Sequence, residues 1–334
     1  MSQTTALPAP LLSRLAPGLV LAAGIAAVAT LAQQASGIAA LNPMVLAMLA
    51  GILIRNARGV PGAAAPGIAF ALRPVLRAGI VLLGFRLTLE QLAQVGVPGL
   101  MAIALTLVAT FLFTKAAGHV LGVDRKLSEL IAAGSAVCGA SAVLAVNTVT
   151  RARDEDVAYA IACVTVFGTL SMLGFPLLAG VLHLAGEHYG LWAGASIHEV
   201  AQAVGAAFAQ GEAAGQAGTV AKLSRVMLLA PLILILGALA RRSGRSEATG
   251  RAPMPWFVLG FIAAVALNSA AILPDALHGP IASTSAFLLT TALAAMGLET
   301  DIGKLRLKGL RPLALGALAW VFVSVTGLGL VLAL

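Results

Sequence analysis

The sequence predicts an all-α membrane protein that crosses the bilayer many times. The chain has 334 residues, of which 60% are hydrophobic and 10% are charged, whereas about 25% are charged in soluble domains. Its mean hydropathy is +0.98. The apolar residues form continuous runs rather than the alternation expected of strands in a membrane barrel. These observations together favour a polytopic bundle of transmembrane helices.

Windows of roughly 17–25 mostly apolar residues, the length that a membrane-crossing helix needs, can be placed eleven times, the second window being short. The first window follows Arg14 and resembles the core of a signal peptide. Because many spans follow and only one basic residue precedes it, we treat it as a retained helix. The predicted spans are 15–32, 42–55, 66–85, 98–117, 127–148, 157–181, 191–209, 221–240, 255–272, 283–298 and 313–334.

The basic residues of the loops predict a cytoplasmic N-terminus. With that orientation fourteen Lys and Arg residues fall in inside loops and four fall outside, as the positive-inside rule requires. Arg151 and Arg153 are the misfit, because they fall outside. A broken or re-entrant segment at 127–148 would account for them. The net charge of +8 therefore indicates cytoplasmic loops rather than nucleic-acid binding. Only two cysteines occur, both in apolar segments, so we expect no disulfide framework.

A weak internal repeat predicts an inverted topology. Residues 45–57 align with 258–270, and residues 81–92 align with 294–305, both at an offset of 213. This offset maps the first four predicted spans onto the last four and shifts the chain by seven spans. An odd shift reverses orientation, and inverted repeats are typical of secondary transporters. We therefore treat 1–334 as one integral membrane domain, in which 15–117 and 221–334 are repeat copies and 127–209 lies between them.

The stretch "GSAVCGASAV" at 134–143 places small and polar residues inside an apolar segment. Two interpretations remain open. Small residues allow close packing between helices, and they also occur where a discontinuous helix exposes N–H groups to a substrate. Such N–H groups beside hydroxyls would form an anion cradle. The residues of this candidate cradle are Ser135, Cys138, Gly139 and Ser141.

A second polar stretch, "GASIHEVAQAV" at 194–204, contains His198, Glu199 and Gln202. Ionisable groups inside a membrane segment are costly and usually functional, although a wet interfacial loop would also tolerate them. His198 and Gln202 share a helix face, and Glu199 points about a quarter-turn away. The pattern H-E-x-x-Q lacks the second histidine of a zinc site, so we expect no metal. Cys138 with His198 as base would be an alternative thiol enzyme, which apolar surroundings disfavour.

Two pairs of basic residues lie in predicted spans. For Arg73 and Arg77, one turn apart, both snorkelling toward an interface and shaping a positive cavity remain open. For Lys222 and Arg225 we expect snorkelling.

The chain resembles a family of bacterial membrane proteins named as sulfate exporters. The resemblance covers nearly the whole length and is carried by "AGIVLLGFRLTLEQLAQVG", "GSAVCGASAVLA", "ASIHEVAQAVGAA", "AKLSRVMLLAPLIL" and "PWFVLGFIAAVALNS". It implies about ten or eleven spans and a distant likeness to inverted-repeat carriers with crossed broken helices. It also implies sulfate or organosulfonates as the substrate class, without assigning ligand residues.

The sequence thus predicts a secondary transporter for a small anion in the inner membrane, working by alternating access and needing no cofactor. In this prediction the cradle at 134–143 faces His198, Glu199 and Gln202, Arg73 and Arg77 supply positive potential, and His198 or Glu199 carries a coupling proton. A dianion leaving an inside-negative cell gains about 4.6 kcal/mol at 100 mV, but the direction stays open. An anion channel, a membrane-embedded thiol or metal enzyme, and a sensor or assembly subunit are the alternatives. The oligomeric state is open, a homo-oligomer included.

Overall fold

The computed structural model describes residues 11–36, 42–94, 96–184, 186–242, 256–303 and 308–333. Within these ranges the chain forms helices and no strands. The sixteen α-helices are α1 Leu11–Ser36, α2 Pro43–Arg58, α3 Ala65–Phe70, α4 Leu76–Leu83, α5 Leu89–Gln94, α6 Gly96–Val120, α7 Arg125–Ala136, α8 Ala140–Thr150, α9 Asp154–Val181, α10 Gly186–Ser196, α11 Val200–Phe208, α12 Glu212–Met227, α13 Leu229–Arg242, α14 Trp256–Ser269, α15 Asp275–Glu299 and α16 Leu310–Leu332.

The predicted all-α membrane class is confirmed. Seven helical segments of the described chain are long and apolar enough to cross a bilayer. Some of them join consecutive helices, as α12 and α13 do. The helices α2 and α14 are shorter, so their crossing stays a prediction, as does the exact number of spans. The seven segments are Leu12–Ser36, Gly62–Arg86, Gly96–Val120, Asp154–Val181, Glu212–Arg242, Asp275–Glu299 and Leu310–Leu332.

Helix boundaries recur at the offset that the sequence repeat indicates. The segments Gly62–Arg86 and Asp275–Glu299 begin and end at positions that differ by 213. The bounds of α14 and α16 lie within two residues of those of α2 and α6 when the same offset is applied. The helix boundaries of the second, third and fourth spans therefore recur near the C-terminus, while the repeat as a whole and the inverted orientation of its copies stay predictions.

The chain, treated above as one domain, divides into two compact units. The first comprises Met1–Ile80 and Ser283–Thr300. In this unit a Cβ on Gly18 would collide with the backbone at Gly67, and one on Gly51 would collide with the backbone at Gly297. These glycines let helix backbones approach closely, which is a common way of packing helices in membranes.

The second unit comprises Val81–Ala282 and Asp301–Leu334, and it contains a helical hairpin made of α7 and α8. Lys126 Nζ, at the start of α7, donates to the carbonyl oxygen of Arg151, just after α8, at 2.8 Å. Thr150 Oγ1 donates to Glu129 Oε1 at 3.0 Å. The start of α7 therefore lies beside the end of α8, and this segment turns back instead of crossing.

The helices α10 and α11 form a second hairpin in the same unit. Tyr189 OH, near the start of α10, donates to the carbonyl oxygen of Ala206, near the end of α11, at 3.0 Å. The segments 127–148 and 191–209 are among the predicted spans, with crossing or re-entry open, and in the structure both turn back. An apolar segment interrupted by small residues has the same composition whether it crosses or turns back, and only these long-range contacts distinguish the two.

The helix α9 connects the hairpins and places their bases at opposite ends. It has 28 residues, which corresponds to a length of about 42 Å. The first hairpin ends a few residues before α9 begins, and the second begins a few residues after α9 ends. The two hairpins therefore enter the unit from opposite ends, and their turns meet between those ends.

Candidate functional site

The turns of the two hairpins lie side by side and form the candidate site. We call Val137–Gly139 the first tip and Ile197–Glu199 the second tip. Gly139 has φ +70, a conformation that L side chains rarely adopt, so α7 cannot continue directly into α8. The break predicted within 134–143 is thus present. The second tip lies 60 positions further along the chain, so Cys138 corresponds to His198 and Gly139 to Glu199.

Two buried cations of α12 bind the carbonyl oxygens where α7 and α10 end. Lys222 Nζ donates to the carbonyl oxygens of Val137 at 3.0 Å, Ile197 at 2.5 Å and His198 at 2.5 Å. The guanidinium of Arg225 donates to three further carbonyl oxygens, and both cations are 0% exposed. The three acceptors of Arg225 are Ser135, Ala136 and Ala195.

These bonds provide partners for the carbonyl oxygens that a helix break inside a membrane protein leaves unpaired. The last carbonyl groups of a helix have no partner within the helix, and leaving them unpaired in an apolar interior is costly. The C-terminal end of a helix also carries partial negative charge, which a cation stabilises. Lys222 and Arg225 therefore hold three carbonyl oxygens of each hairpin, and the snorkelling expected for them is wrong.

The N-terminal end of α8 holds a carboxylate from the other hairpin. Glu199 Oε1 accepts a hydrogen bond from Ala140 N at 2.6 Å, and the side chain is 7% exposed. A Cβ on Gly139 would collide with the carboxylate of Glu199, so a larger residue there would displace that carboxylate in addition to straining its φ. A helix N-terminus carries partial positive charge. The first N–H of α8 thus already binds an anionic group.

The N-terminal end of α11 is buried at the same place. Its N-cap residue, Glu199, makes no side-chain hydrogen bond to its own helix because its carboxylate is directed to α8. Val200 and Ala201 in the first turn are buried. The positive N-terminal ends of α8 and α11 thus lie next to the tips. The end of α8 binds the carboxylate of Glu199, and the end of α11 has no side-chain cap from its own N-cap residue.

His198 and Gln202 share a face, as their spacing predicts, and this face is directed toward α9. Gln202 Nε2 donates to Thr165 O at 3.0 Å and to Thr169 Oγ1 at 3.1 Å. A Cβ on Gly168 would meet Gln202 Oε1 and the Cβ of His198. Among the described residues neither imidazole nitrogen of His198 has a hydrogen-bond partner, and the residue is 0% exposed. The second tip therefore directs Glu199 to α8 but His198 and Gln202 to α9.

The remaining residues of the predicted site are only partly brought together. Ser135 is buried just before the first tip and Cys138 is buried within it, whereas Ser141, the second residue of α8, is exposed. Arg73 and Arg77 belong to the other unit, and both are exposed there.

The sequence interpretation missed the role of Lys222 and Arg225. Its predicted span began at residue 221, which placed both side chains near a membrane surface. The helix instead begins at Glu212, so both lie two or more turns inside it. Their i, i+3 spacing on one helix face was the available signal.

Comparisons with known proteins identify the family. The family model described as conserved hypothetical protein 698 matches residues 17–316, so the chain belongs to this family. The chain is similar to a UPF0324 membrane protein of Pseudomonas aeruginosa, at 40% identity over 96% of this chain and 94% of the relative. It is also similar to a UPF0324 membrane protein of Pseudomonas putida, at 40% identity over 87% and 85%. The UPF0324 inner membrane protein YeiH of Salmonella typhi is 38% identical over 92% and 91%.

These names state a membrane location and no substrate, so sulfate export stays a prediction. No solved structure matches the chain.

Proposed function

We propose that this member of the conserved hypothetical protein 698 family is a secondary transporter that moves a small anion across the cytoplasmic membrane by alternating access. The anion would be of the sulfate or organosulfonate class, and it would bind where the two hairpin tips meet. Lys222, Arg225 and the N-terminal ends of α8 and α11 would supply the attraction, and His198 and Glu199 would handle a coupling proton.

The charge at the tips is the observation that carries this proposal. Two buried cations and one buried carboxylate leave a net positive charge when His198 is neutral. Lys222 contacts three carbonyl acceptors, which matches the three donors of an ammonium group. We therefore take Lys222 as charged, and Arg225, which donates to three further carbonyl oxygens, likewise. Uncompensated positive charge in a membrane interior is costly, and an anionic substrate would lower that cost.

The hairpins favour a carrier over a simple pore. Broken helices whose ends surround a central site are typical of secondary transporters. Here one hairpin enters from each end of α9, so a site at the tips could be approached from either face of the membrane. Both hairpins are attached to α12 through Lys222 and Arg225, so we expect them to move as one body.

The distribution of basic residues supports an N-terminus in the cytoplasm. With the first hairpin re-entrant, Arg151 and Arg153 join the inside loops and the misfit disappears. At that end of the unit Lys308 donates to Asp156 at 2.8 Å, and this bond raises the pKa of Lys308. Four further basic residues assigned to inside loops lie outside the described residues: Arg245, Arg251, Lys304 and Arg306.

The orientation can be tested by labelling introduced cysteines in intact cells and inverted vesicles. Lys126→Cys and Arg151→Cys should both react only from the cytoplasmic side, whereas His183→Cys should react only from outside. Cys138 and Cys163 are buried, so the unmodified protein supplies the background. Labelling of positions 126 and 151 from opposite sides would contradict a re-entrant first hairpin.

The transport proposal is tested with purified protein in proteoliposomes. Labelled sulfate, sulfite, taurine, sulfoacetate and thiosulfate are offered one at a time, and counterflow against unlabelled substrate is measured. We expect at least one of these anions to show saturable uptake and counterflow, and the same anion to raise the unfolding temperature. Linear uptake without counterflow would indicate a channel, and no flux for any of them would contradict the proposal.

A matched pair of variants on α8 locates the site. Ser141→Leu places a bulky apolar group at the accessible end of α8 and should weaken anion binding at least about tenfold, equivalent to about 1.4 kcal/mol. Thr148→Leu, an exposed position near the other end of the same helix, should leave binding unchanged. Equal binding by both variants would move the site away from the first tip.

A further inference from the structure

The contact between Glu199 and α8 has a consequence for the ions that move with the substrate. If the N-terminal end of α8 binds the transported anion, the carboxylate of Glu199 occupies that position in the structure. Its oxygen accepts from the first N–H of the helix, and its carboxyl group fills the space beside Gly139 that a Cβ would need. Glu199 and a substrate anion would therefore compete for the same donor.

Electrostatic repulsion supports competition over joint binding, and His198 adds a second ionisable group to the same tip. A second anion beside an ionised carboxylate would be repelled at a place where little water screens the charges. His198, next to Glu199, is fully buried, and neither of its nitrogens has a partner among the described residues. The second tip thus carries an acid engaged with α8 and a base directed toward α9 that has no hydrogen-bond partner among the described residues.

We propose that Glu199 is a built-in competitor of the substrate, and that a divalent oxyanion binds at the first tip only together with one proton on Glu199. This inference rests on the proposed anion transport. The transferred proton forms an O–H bond on the Glu199 carboxylate and is released to the other side when the anion leaves. No bond of the substrate is broken and no oxidant or reductant is required.

The formal charges explain why the anion should be divalent. Lys222 and Arg225 contribute two positive charges and Glu199 contributes one negative charge. When Glu199 is protonated, the remaining two positive charges are balanced by one dianion. Cys138 on the first tip and Lys222 on α12 interact electrostatically with Glu199, His198 is its neighbour on the same tip, and Arg225 lies near Cys138 and His198. Of these, His198 is the group whose titration must be separated from that of Glu199.

The test measures sulfate binding to the full-length purified protein at about pH 5.5 and about pH 8, with proton uptake followed by an indicator dye in weak buffer. Chloride at equal ionic strength is the reference. We expect the wild type to bind sulfate more weakly at the higher pH, by up to about tenfold per pH unit where the carboxyl ionises. We also expect uptake of about one proton per bound sulfate.

Glu199→Gln keeps an oxygen for Ala140 N and carries no charge. It should bind sulfate equally at both pH values and take up no proton. In His198→Leu, uptake of the proton at binding equilibrium should remain, since Glu199 accepts it, whereas proton-coupled flux should fall. Proton uptake that persists in Glu199→Gln, or that is lost in His198→Leu, would overturn the assignment to Glu199.

The wild-type measurement tests the coupling of sulfate binding to proton uptake even if Glu199→Gln fails to fold. Sulfate binding without pH dependence and without proton uptake would overturn the inference. Sulfate that does not bind at either pH would overturn the divalent assignment, and the flux measurements with the other anions then decide separately whether the site transports any anion.

Discussion

At both hairpin tips a helix ends inside the protein, but the two tips turn through different residues. At both tips the carbonyl oxygens of that helix are bound by Lys222 and Arg225. The first tip then turns through Gly139 and presents no acidic or basic side chain. The second tip turns through His198 and Glu199, which are both ionisable. The first tip thus provides space and backbone donors, whereas the second provides the groups that can exchange protons.

The two tips therefore share the cations that bind their carbonyl oxygens but differ in their ionisable side chains. Both tips depend on the same two cations for stability, so they should unfold together. Only the second should govern the pH dependence of binding, because the first has no ionisable side chain apart from the buried thiol of Cys138.

The largest effect is expected from removing a cation that both tips share. Arg225→Met leaves three buried carbonyl oxygens without their donor, and each unpaired group costs about 1–3 kcal/mol. We expect a loss of at least about 3 kcal/mol, measured as a lower thermal unfolding midpoint and less monodisperse protein after purification. Arg242→Met, at the exposed end of the same long segment, is the control and should behave like the wild type. A stable Arg225→Met protein would show that the carbonyl contacts are not essential.

The break at the first tip could be predicted from the sequence, because glycine and serine inside an apolar segment disfavour a continuous helix. The reversal of direction could not. Hydrophobic runs of this length fit a crossing helix as well as a hairpin, and the bond between Lys126 and Arg151 is a tertiary contact that no local pattern contains. Arg151 and Arg153 were the available clue, since they obey the positive-inside rule only if the segment turns back.

The cations of the site were harder to predict than its polar tips. The residues before position 221 include Glu212 and several glycines, so hydropathy placed the start of the span too late. Because α12 begins at Glu212, Lys222 and Arg225 lie inside the protein rather than at its surface. Glycine and glutamate lower the hydropathy of a helix that is buried by its neighbours, and a window average does not detect that burial.

A smaller effect, confined to one tip, is expected from Gly139→Ala. Alanine at a positive φ costs roughly 1–3 kcal/mol, and its Cβ would also displace the carboxylate of Glu199. Gly309, the N-cap of α16, has φ +80 and no atom near its Cβ position, so Gly309→Ala should show the strain alone. Gly139→Ala should lose more stability in thermal unfolding than Gly309→Ala, because it adds displacement of the carboxylate to the strain. Only Gly139→Ala should change the pH dependence of sulfate binding, and an equal response from both would mean that the contact with Glu199 has no role in binding.

The smallest effect on stability separates two neighbours on the second tip. His198→Leu removes no hydrogen bond found among the described residues and replaces a buried polar group by an apolar one, so it should be nearly neutral or stabilising. Gln202→Leu removes the bonds to Thr165 and Thr169 and should cost about 1–2 kcal/mol. Thermal unfolding of both variants at one pH makes the comparison. A large loss of stability in His198→Leu would mean that the imidazole is needed for folding. A stable His198→Leu protein with reduced proton-coupled flux would assign the imidazole to the transport cycle. His198 and Gln202 lie on one face. A loss of stability in Gln202→Leu without a loss in His198→Leu would show that the imidazole does not stabilise the tip.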